Sequence, residues 1–387
     1  MSHRRRLLVS VLAVALVCST ARADVLVVDF ANGPGADFTD LSLAVQAAQD
    51  GDLLLVRPGI YSVWDTIDAR SLTIVGDGPF VQVDGQLTVQ NLAANQSFVL
   101  RNVTFQYPGE LSVLNSVGPA IVQDSTINAD IYGGSGPYGA IRALNARVVV
   151  TDSVILGSFQ YGVAAAPPTA GIHATGSTVV VSNSLVLGGD GTDTLAPDMP
   201  GAPGMELQDA QVLVSGSSVR GGSGASQAGG AGVVASGASS IVARDVLNQG
   251  GDGVPAGDAT VLDGSSSWLD VAGDAAVLNS DSPLREGETW TIEVLGTPGD
   301  DTWLAAGVVP AWAPLASGAG VLGVGAPLWL VPLGTLPASG NAVFGLTVPA
   351  IGLDAFDVFL QELHVSAGTG EKVLGPISVT TLLDAAY

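Results

Sequence analysis

The sequence predicts an all-β fold: a right-handed parallel β-helix followed by a small antiparallel β-sandwich. Three observations predict it: a strand motif that recurs every 22 to 33 residues, an Asn or Asp at one matching position of most copies, and the loss of this repeat near residue 280. A repeat of this length is typical of a stacked solenoid, in which each coil buries its apolar residues against its neighbours.

The repeated motif is a short apolar strand with a polar residue at its end. Its copies are Phe98–Asn102, Ala120–Asp124, Val148–Asp152, Val179–Asn183, Val212–Gly216 and Ile241–Asp245. In stacked coils the Asn/Asp column would repeat at about 4.8 Å. Such side chains hydrogen-bond along a column and close turns, so we expect a structural role. A cation held between Asp124 and Asp152 is the alternative.

The residues before the repeats predict a cap for the first coil. A strand over Val25–Val28 precedes an amphipathic helix over 37–48, which Thr39 or Asp40 can cap. The apolar strand Leu53–Val56 follows. Because the first coil of a solenoid exposes unpaired backbone, we expect the helix to lie across that end.

Glycine-rich inserts interrupt the later coils at one matching place. They span residues 133–139, 157–170, 188–203, 221–231 and 250–257. In a stack they would project from one side and form a loop-rich face, where binding is expected. Tyr132, Tyr138, Phe159 and Tyr161 lie in or beside the first two inserts, and they are the predicted contact patch.

Both ends of the chain differ from the repeats. Residues 1–23 have the basic, apolar and small-residue segments of a signal peptide with cleavage after Ala23, which predicts a secreted or cell-surface protein of bacterial type. Cleavage would remove the only cysteine, so no disulfide is expected. Residues 281–387 alternate apolar and polar positions in several short strands, which predicts the β-sandwich. The predicted β-helix spans residues 24–280.

Composition excludes some partners. The chain has 13 basic against 36 acidic residues, a net charge of −23. This balance argues against nucleic acid, and against unaided binding of polyanionic polysaccharides. Calcium can bridge carboxylates and is the one cofactor left open. The uncharged stretch 302–353 is interrupted by Pro and Gly, so no membrane span is expected. The sequence does not predict an oligomeric state.

A family resemblance covers the N-terminal part. The stretches Ala36–Leu41, Val56–Tyr61 and Leu72–Gly78 resemble the N-terminal cap of pectinesterase-type β-helices, in the pectin-lyase-like superfamily. The resemblance covers residues 25–105 in motif and 25–280 in architecture, and it implies the β-helix. The family's Gly-Asp-Phe-Ile-Phe-Gly and Gly-Arg-Pro-Trp segments are absent. Gln123-Asp124-Ser125 matches only its Gln-Asp-Thr element.

Two further groups are candidate sites. Arg142, His173 and Glu206 each follow the first apolar residue of a strand, so they should be neighbours on consecutive coils, as weak catalytic candidates or as an exposed charge ladder. Asp190 and Asp193 lie in a single copy of a calcium-binding nonapeptide. Calcium rolls need tandem copies, which favours a glycine-rich loop.

These features favour a non-catalytic extracellular protein that binds glycans or surface partners through its loop-rich face. One alternative is a polysaccharide lyase or pectinesterase-like enzyme acting on uronic-acid polymers. A structural spacer or adhesin stalk is the second alternative.

Overall fold

The computed structural model describes residues 24–129, 139–158, 167–191, 199–224, 226–315, 320–350 and 352–387. Over these residues two long parallel sheets enclose one apolar core, and three smaller, mainly antiparallel sheets follow. The predicted fold class, a parallel β-helix with a helical cap and a C-terminal β-sandwich, is confirmed. The signal peptide lies outside the described residues and stays a prediction.

One parallel sheet, here called sheet A, has ten strands in chain order. They are β1 (Val25–Val28), β2 (Asp52–Val56), β4 (Leu72–Gly76), β6 (Phe98–Arg101), β8 (Pro119–Gln123), β11 (Arg147–Thr151), β14 (Thr178–Ser182), β17 (Gln211–Ser215), β20 (Ser240–Arg244) and β23 (Ser267–Val271). Every residue of β2, β4 and β8 is buried. Strands with this pattern are covered on both faces.

The other parallel sheet, sheet B, has 13 strands and divides along the solenoid. It begins with three long strands, β3 (Gly59–Asp68), β5 (Val81–Gln90) and β7 (Thr104–Leu114). Then β7 pairs with two shorter strands at once, β9 (Thr126–Asn128) and β10 (Ile141–Leu144). An insert separates those two strands, and each later coil repeats this division.

The remaining strands of sheet B form two parallel rows on either side of the inserts. The first row is β12 (Val154–Leu156), β15 (Leu185–Leu187), β18 (Ser218–Arg220) and β21 (Leu247–Gln249). The second row is β13 (Ile172–Thr175), β16 (Met205–Gln208), β19 (Val233–Ser236) and β22 (Thr260–Leu262). Their side chains alternate between the core and the outer face.

The N-terminal helix α1 (Leu41–Ala47) packs against β1 and β3. Asp40 is its N-cap, and its carboxylate accepts a hydrogen bond from the Leu43 backbone N–H at 2.9 Å. Leu41, Ala44 and Val45 are buried in the main core. The helix therefore caps the first coil, as the sequence predicts.

Two corners in each coil join the sheets, and both use positive φ. At the first corner φ lies between 46° and 55° in Asn102, Asp124, Asp152, Asn183, Gly216 and Asp245. A second corner repeats this conformation in Asn91, Asn115, Asn145, Gly176, Asp209 and Gly237. Asn, Asp and Gly tolerate the left-handed region best, so the backbone explains both columns.

A buried serine follows four of the six residues of the first corner and joins consecutive coils. Its hydroxyl donates to the carbonyl two residues earlier and accepts the backbone N–H of the matching residue one coil before, at 3.1 to 3.3 Å. These serines are Ser125, Ser153, Ser184 and Ser217. They satisfy backbone groups that the bend would otherwise bury without partners.

The last coil replaces core residues by polar ones. Ile241 and Ala243 are followed in register by Trp268 and Asp270, whose side chains hydrogen-bond to each other at 2.7 Å. In sheet B, Val219 is followed by Asn248. A terminal repeat with polar residues is the usual end of a solenoid.

The C-terminal residues form a sandwich of two sheets. One consists of β24 (Val277–Ser280), β26 (Thr289–Leu295) and β31 (Asn341–Thr347). The other consists of β25 (Leu284–Arg285), β33 (Lys372–Leu383), β32 (Ala355–Val365), β27 (Asp301–Gly307) and β30 (Trp329–Thr335). A hairpin of β28 (Pro310–Pro314) and β29 (Val321–Val324) lies beside them. The predicted boundary at residue 280 falls at the end of β24.

The sandwich packs along the outer face of sheet A. Val99, Ile121, Val149 and Val180 of successive coils share one buried cluster with Ala305, Phe359, Ile377 and Val379. Gln123 fixes the register: its amide donates to the Ser378 hydroxyl at 2.9 Å and accepts the Val379 N–H at 2.8 Å. This contact explains why sheet A strands are buried on both faces.

Candidate functional site

The structure brings Arg142, His173 and Glu206 together on the outer face of sheet B. Arg142 of β10 lies directly opposite His173 of β13, which lies opposite Glu206 of β16. His173 Nδ1 is 3.2 Å from Glu206 Oε2. The adjacency that the repeat predicts is therefore present, whereas a catalytic role for the three residues stays a prediction.

Polar side chains continue toward the N-terminus in two neighbouring columns. Ser112 and Thr88 continue the column of Arg142, and Glu110 and Gln86 lie two residues earlier on the same two strands. Ser112 of β7 lies opposite Arg142, and its hydroxyl donates to Glu110 Oε1 at 3.0 Å. Glu110 Oε2 accepts a hydrogen bond from the Gln86 amide of β5 at 2.8 Å. We call these residues the axial polar row: Gln86, Glu110, Ser112, Arg142, His173 and Glu206.

Sequence reasoning missed the first half of this row. The pairing of β5 with β7 shifts register between Asp84 and Gln86, so the simple repeat does not align Glu110 with its neighbours. The available signal was the alternation of Gln86, Thr88 and Gln90 with apolar residues, which places three polar side chains on one face.

The carboxylates of the row differ in their electrostatic surroundings. The hydrogen bond from His173 lowers the pKa of Glu206, against the opposing effect of partial burial. Burial raises the pKa of Glu110, while Ser112 and Arg142 oppose that rise. Glu110 and Ser112 are buried, whereas Gln86, Arg142, His173 and Glu206 are partly or fully exposed. The row thus presents amide, guanidinium, imidazole and carboxylate groups along the solenoid axis, which suits hydrogen bonding to a polar, extended ligand.

A second polar region lies at the first corner, against the C-terminal sandwich. It is a cleft of about 500 Å³. Asn102, Asp124 and Asp152 line one wall, and Asp281 and Glu293 line the other. The side chain of Asn102 donates to the carbonyls of Gly76 and Gly78, and Asn183 donates to Asp152, so the column forms turn and ladder contacts.

Arg101 lies at the base of this cleft with only 3% of its side chain exposed. Its NH2 group is 2.7 Å from Asp124 Oδ2, and its guanidinium also donates to the carbonyls of Ser280 and Val379. Burial lowers the pKa of Arg101, and Asp124 opposes that change. Asp124 is therefore the counter-ion of a buried cation that joins the β-helix to the sandwich.

Asp152 lies one coil after Asp124, in electrostatic surroundings that favour its protonated form. Burial raises the pKa of Asp152 to about 6; the Asn183 hydrogen bond opposes the rise and the Asp124 charge adds to it. Two neighbouring carboxyl groups in different surroundings are one arrangement that acid–base chemistry uses.

All four members of the predicted aromatic patch lie outside the described residues: Tyr132, Tyr138, Phe159 and Tyr161. It stays a prediction. Of the predicted calcium ligands, Asp193 also lies outside them. Asp190 is described, and its carboxylate accepts the Ser223 backbone N–H of the next coil at 2.6 Å. That contact is structural, and calcium binding stays untested.

The bases of the inserts stack on one another. A Cβ on Gly222 would lie 2.0 Å from the Gly189 carbonyl oxygen, and a Cβ on Gly251 would lie 1.9 Å from that of Gly222. Backbone contact this close excludes any other residue type and explains the glycines of the inserts.

Among the described residues, no three His, Cys, Asp or Glu side chains are grouped as metal ligands. No helix within the described part of the chain is long and apolar enough to cross a bilayer.

No protein-family model and no curated protein matches the chain. Among solved structures, the enzymatically active domain of tailspike protein 2 from bacteriophage CBA120 is similar, with a TM-score of 0.31 and 10% identity over 95% of this chain and 77% of that one. A likeness at this TM-score carries no inference about this chain.

Proposed function

We propose that this protein is secreted or displayed at the cell surface and binds a glycan chain along the outer face of sheet B. The axial polar row carries the proposal. It presents Arg142, His173 and Glu206 on three successive coils, with Gln86 further toward the N-terminus, on the face that the sandwich leaves uncovered. The buried Ser112 and Glu110 lie between these two groups.

Spacing supports an extended carbohydrate. Strands of a sheet repeat at about 4.8 Å, close to the length of one sugar unit in an extended chain. A glycan aligned with the solenoid axis would therefore meet the next coil's side chain at each successive sugar. The resemblance of residues 25–105 to pectinesterase-type caps, within the pectin-lyase-like superfamily, also favours carbohydrate as the ligand class.

The row is tested by glycan-array binding of a variant that combines Arg142→Ala, His173→Ala and Glu206→Ala. We expect this variant to lose glycan binding and to keep the wild-type unfolding midpoint. The matched control combines Arg220→Ala and Asp252→Ala, which removes an exposed ion pair of 2.9 Å between the end of β18 and the insert 250–257, away from the axial polar row. Equal binding by wild type and the row variant would contradict the proposal.

The aromatic patch needs a separate test, because only the sequence supports its part in glycan binding. Replacing Tyr132, Tyr138, Phe159 and Tyr161 together by Ala should weaken glycan binding on the same array. Unchanged binding would remove the patch from the proposal and leave the axial polar row in place.

A second candidate function is hydrolysis in the cleft at the first corner. Asp152, with its pKa of about 6, would donate a proton to the leaving oxygen, while Asp124 would take a proton from the attacking water. Pectin and neutral polysaccharides would be assayed for methanol, the product of ester hydrolysis, and for new reducing ends, the product of glycosidic hydrolysis. Product formation that Asp152→Asn abolishes would establish this function, and no product from any substrate would remove it.

A further inference from the structure

Trp64 is the most exposed of the six tryptophans, with 61% of its surface accessible. It lies on β3, at the N-terminal edge of sheet B. In register with it are Gln86 of β5 and then Glu110 of β7. Trp64 therefore continues the column of Gln86 and Glu110 by one coil, two residues along the strand from the column that ends in Arg142, His173 and Glu206.

The local backbone fixes the position of this indole. The backbone N–H of Trp64 donates to the Ser42 hydroxyl of α1 at 3.4 Å. A Cβ on Gly85 would lie 3.2 Å from Trp64 Nε1 and 2.0 Å from the Val63 carbonyl oxygen, so glycine leaves room for the ring beside the strand. The indole is held at its base and open to solvent.

Amide and carboxylate side chains lie on the neighbouring strand β5. Gln82 donates to Asp84 at 2.8 Å, and Gln86 donates to Glu110 at 2.8 Å. The first pair lies on β5, next to β3, and the second joins β5 to β7. Glu110 is buried and both its oxygens accept hydrogen bonds, so the groups left for hydroxyls are those of the partly exposed Gln82, Asp84 and Gln86. An exposed aromatic ring beside such pairs matches a pyranose, which has an apolar C–H face and a rim of hydroxyl groups.

Charge restricts the kind of sugar. The strands β3, β5 and β7 contain Asp and Glu but no Lys or Arg, and the whole chain carries a net charge of −23. A polyuronate would meet like charge at every coil of this region, without a cation on these strands to offset it.

We propose that Trp64 and Gln86, whose amide is held in place by the buried Glu110, form a stacking subsite for an uncharged hexopyranose unit at the N-terminal end of the glycan-binding face. This subsite rests on the proposed function and names its ligand class. Apolar stacking on Trp64 gives affinity, and the amide–carboxylate pair orients the hydroxyls.

The test is titration calorimetry with cellohexaose and hexa-N-acetylchitohexaose as neutral probes and hexagalacturonate as the anionic probe. Trp64→Ala should weaken binding of a neutral probe by about tenfold or more, and Trp64→Phe should stay within about threefold of wild type because it keeps an aromatic face. The control is Phe80→Ala, which removes an aromatic side chain that is 90% exposed in the turn before β5. It should bind as wild type does.

Three results would overturn the subsite: Trp64→Ala binding as wild type, Phe80→Ala losing as much as Trp64→Ala, or wild type preferring hexagalacturonate. If the Arg142/His173/Glu206 variant loses neutral-glycan binding while Trp64→Ala keeps it, the subsite fails and the proposed function stands. If wild type binds no probe here and no glycan on the array, both fail.

Discussion

Sheet A and sheet B belong to the same coils, but their outer faces have opposite chemistry. In one coil, sheet A contributes Val148, Val149 and Val150, all fully buried, whereas sheet B contributes Arg142 between buried Ile141 and Ala143. The apolar face of sheet A is covered by the C-terminal sandwich, and the polar face of sheet B is not. The two sheets of one solenoid thus have different roles: sheet A holds the sandwich, and the outer face of sheet B is available to ligands.

The largest expected effect comes from placing a charge under the sandwich. Val149→Asp buries a carboxylate among Phe359, Ile377 and Val379, and we expect it to lower the free energy of unfolding by about 3 kcal/mol or more. The measurement is urea denaturation at neutral pH.

The matched control is Val154→Asp, in the same coil but on the outer face of sheet B, where the side chain is only partly buried. It should cost about 1 kcal/mol or less. Equal losses for the two variants would mean that the sandwich does not depend on sheet A for its position.

A smaller effect is expected from the Gln123 contact. Gln123→Ala would leave the Val379 N–H and the Ser378 hydroxyl buried with one partner fewer each, at a cost of about 1–3 kcal/mol. Gln208→Ala, at an exposed outward position of sheet B, should change the free energy of unfolding by less than about 0.5 kcal/mol. Denaturation curves that coincide for the two variants would contradict the docking role of Gln123.

The smallest expected effect is a pH dependence at the cleft. Burial raises the folded pKa of Asp152 to about 6, above the ordinary aspartate value of 3.8, so its contribution to stability is present below pH 3.8 and is lost as pH rises through 6. Asp152→Asn cannot ionise and keeps an acceptor for Asn183.

The stability of Asp152→Asn relative to wild type should therefore increase from pH 4 to pH 7 and then level off. Denaturation midpoints at a series of pH values measure this. A stability difference that is constant across the series would show that Asp152 titrates normally.

Much of this comparison was predictable from the sequence. The repeat length predicts the stacked coils, and the Asn/Asp column predicts the position of the first corner. The spacing of Arg142, His173 and Glu206 predicts that they lie side by side. The runs Leu53–Leu55 and Val148–Val150 also signalled a sheet covered on both faces, because an exposed strand would alternate. That signal indicates the docking of the sandwich, although the sequence alone does not identify what covers sheet A.

The remaining features depend on long-range contacts. Arg101 and Asp124 resemble ordinary strand-end residues until the sandwich places Val379 and Ser280 over them. Glu110 joins the axial polar row only because a register shift in β7 realigns it with Gln86. Short-range patterns carry no information about either event.

The central claim is that the uncovered face of sheet B is the glycan-binding face. Hydrogen–deuterium exchange with and without the glycan that binds best tests it most directly. We predict glycan-dependent protection in β5, β7, β10, β13 and β16, with no change in the sandwich strands β32 and β33. Protection confined to the sandwich, or to the corner that carries Asp124 and Asp152, would contradict the claim.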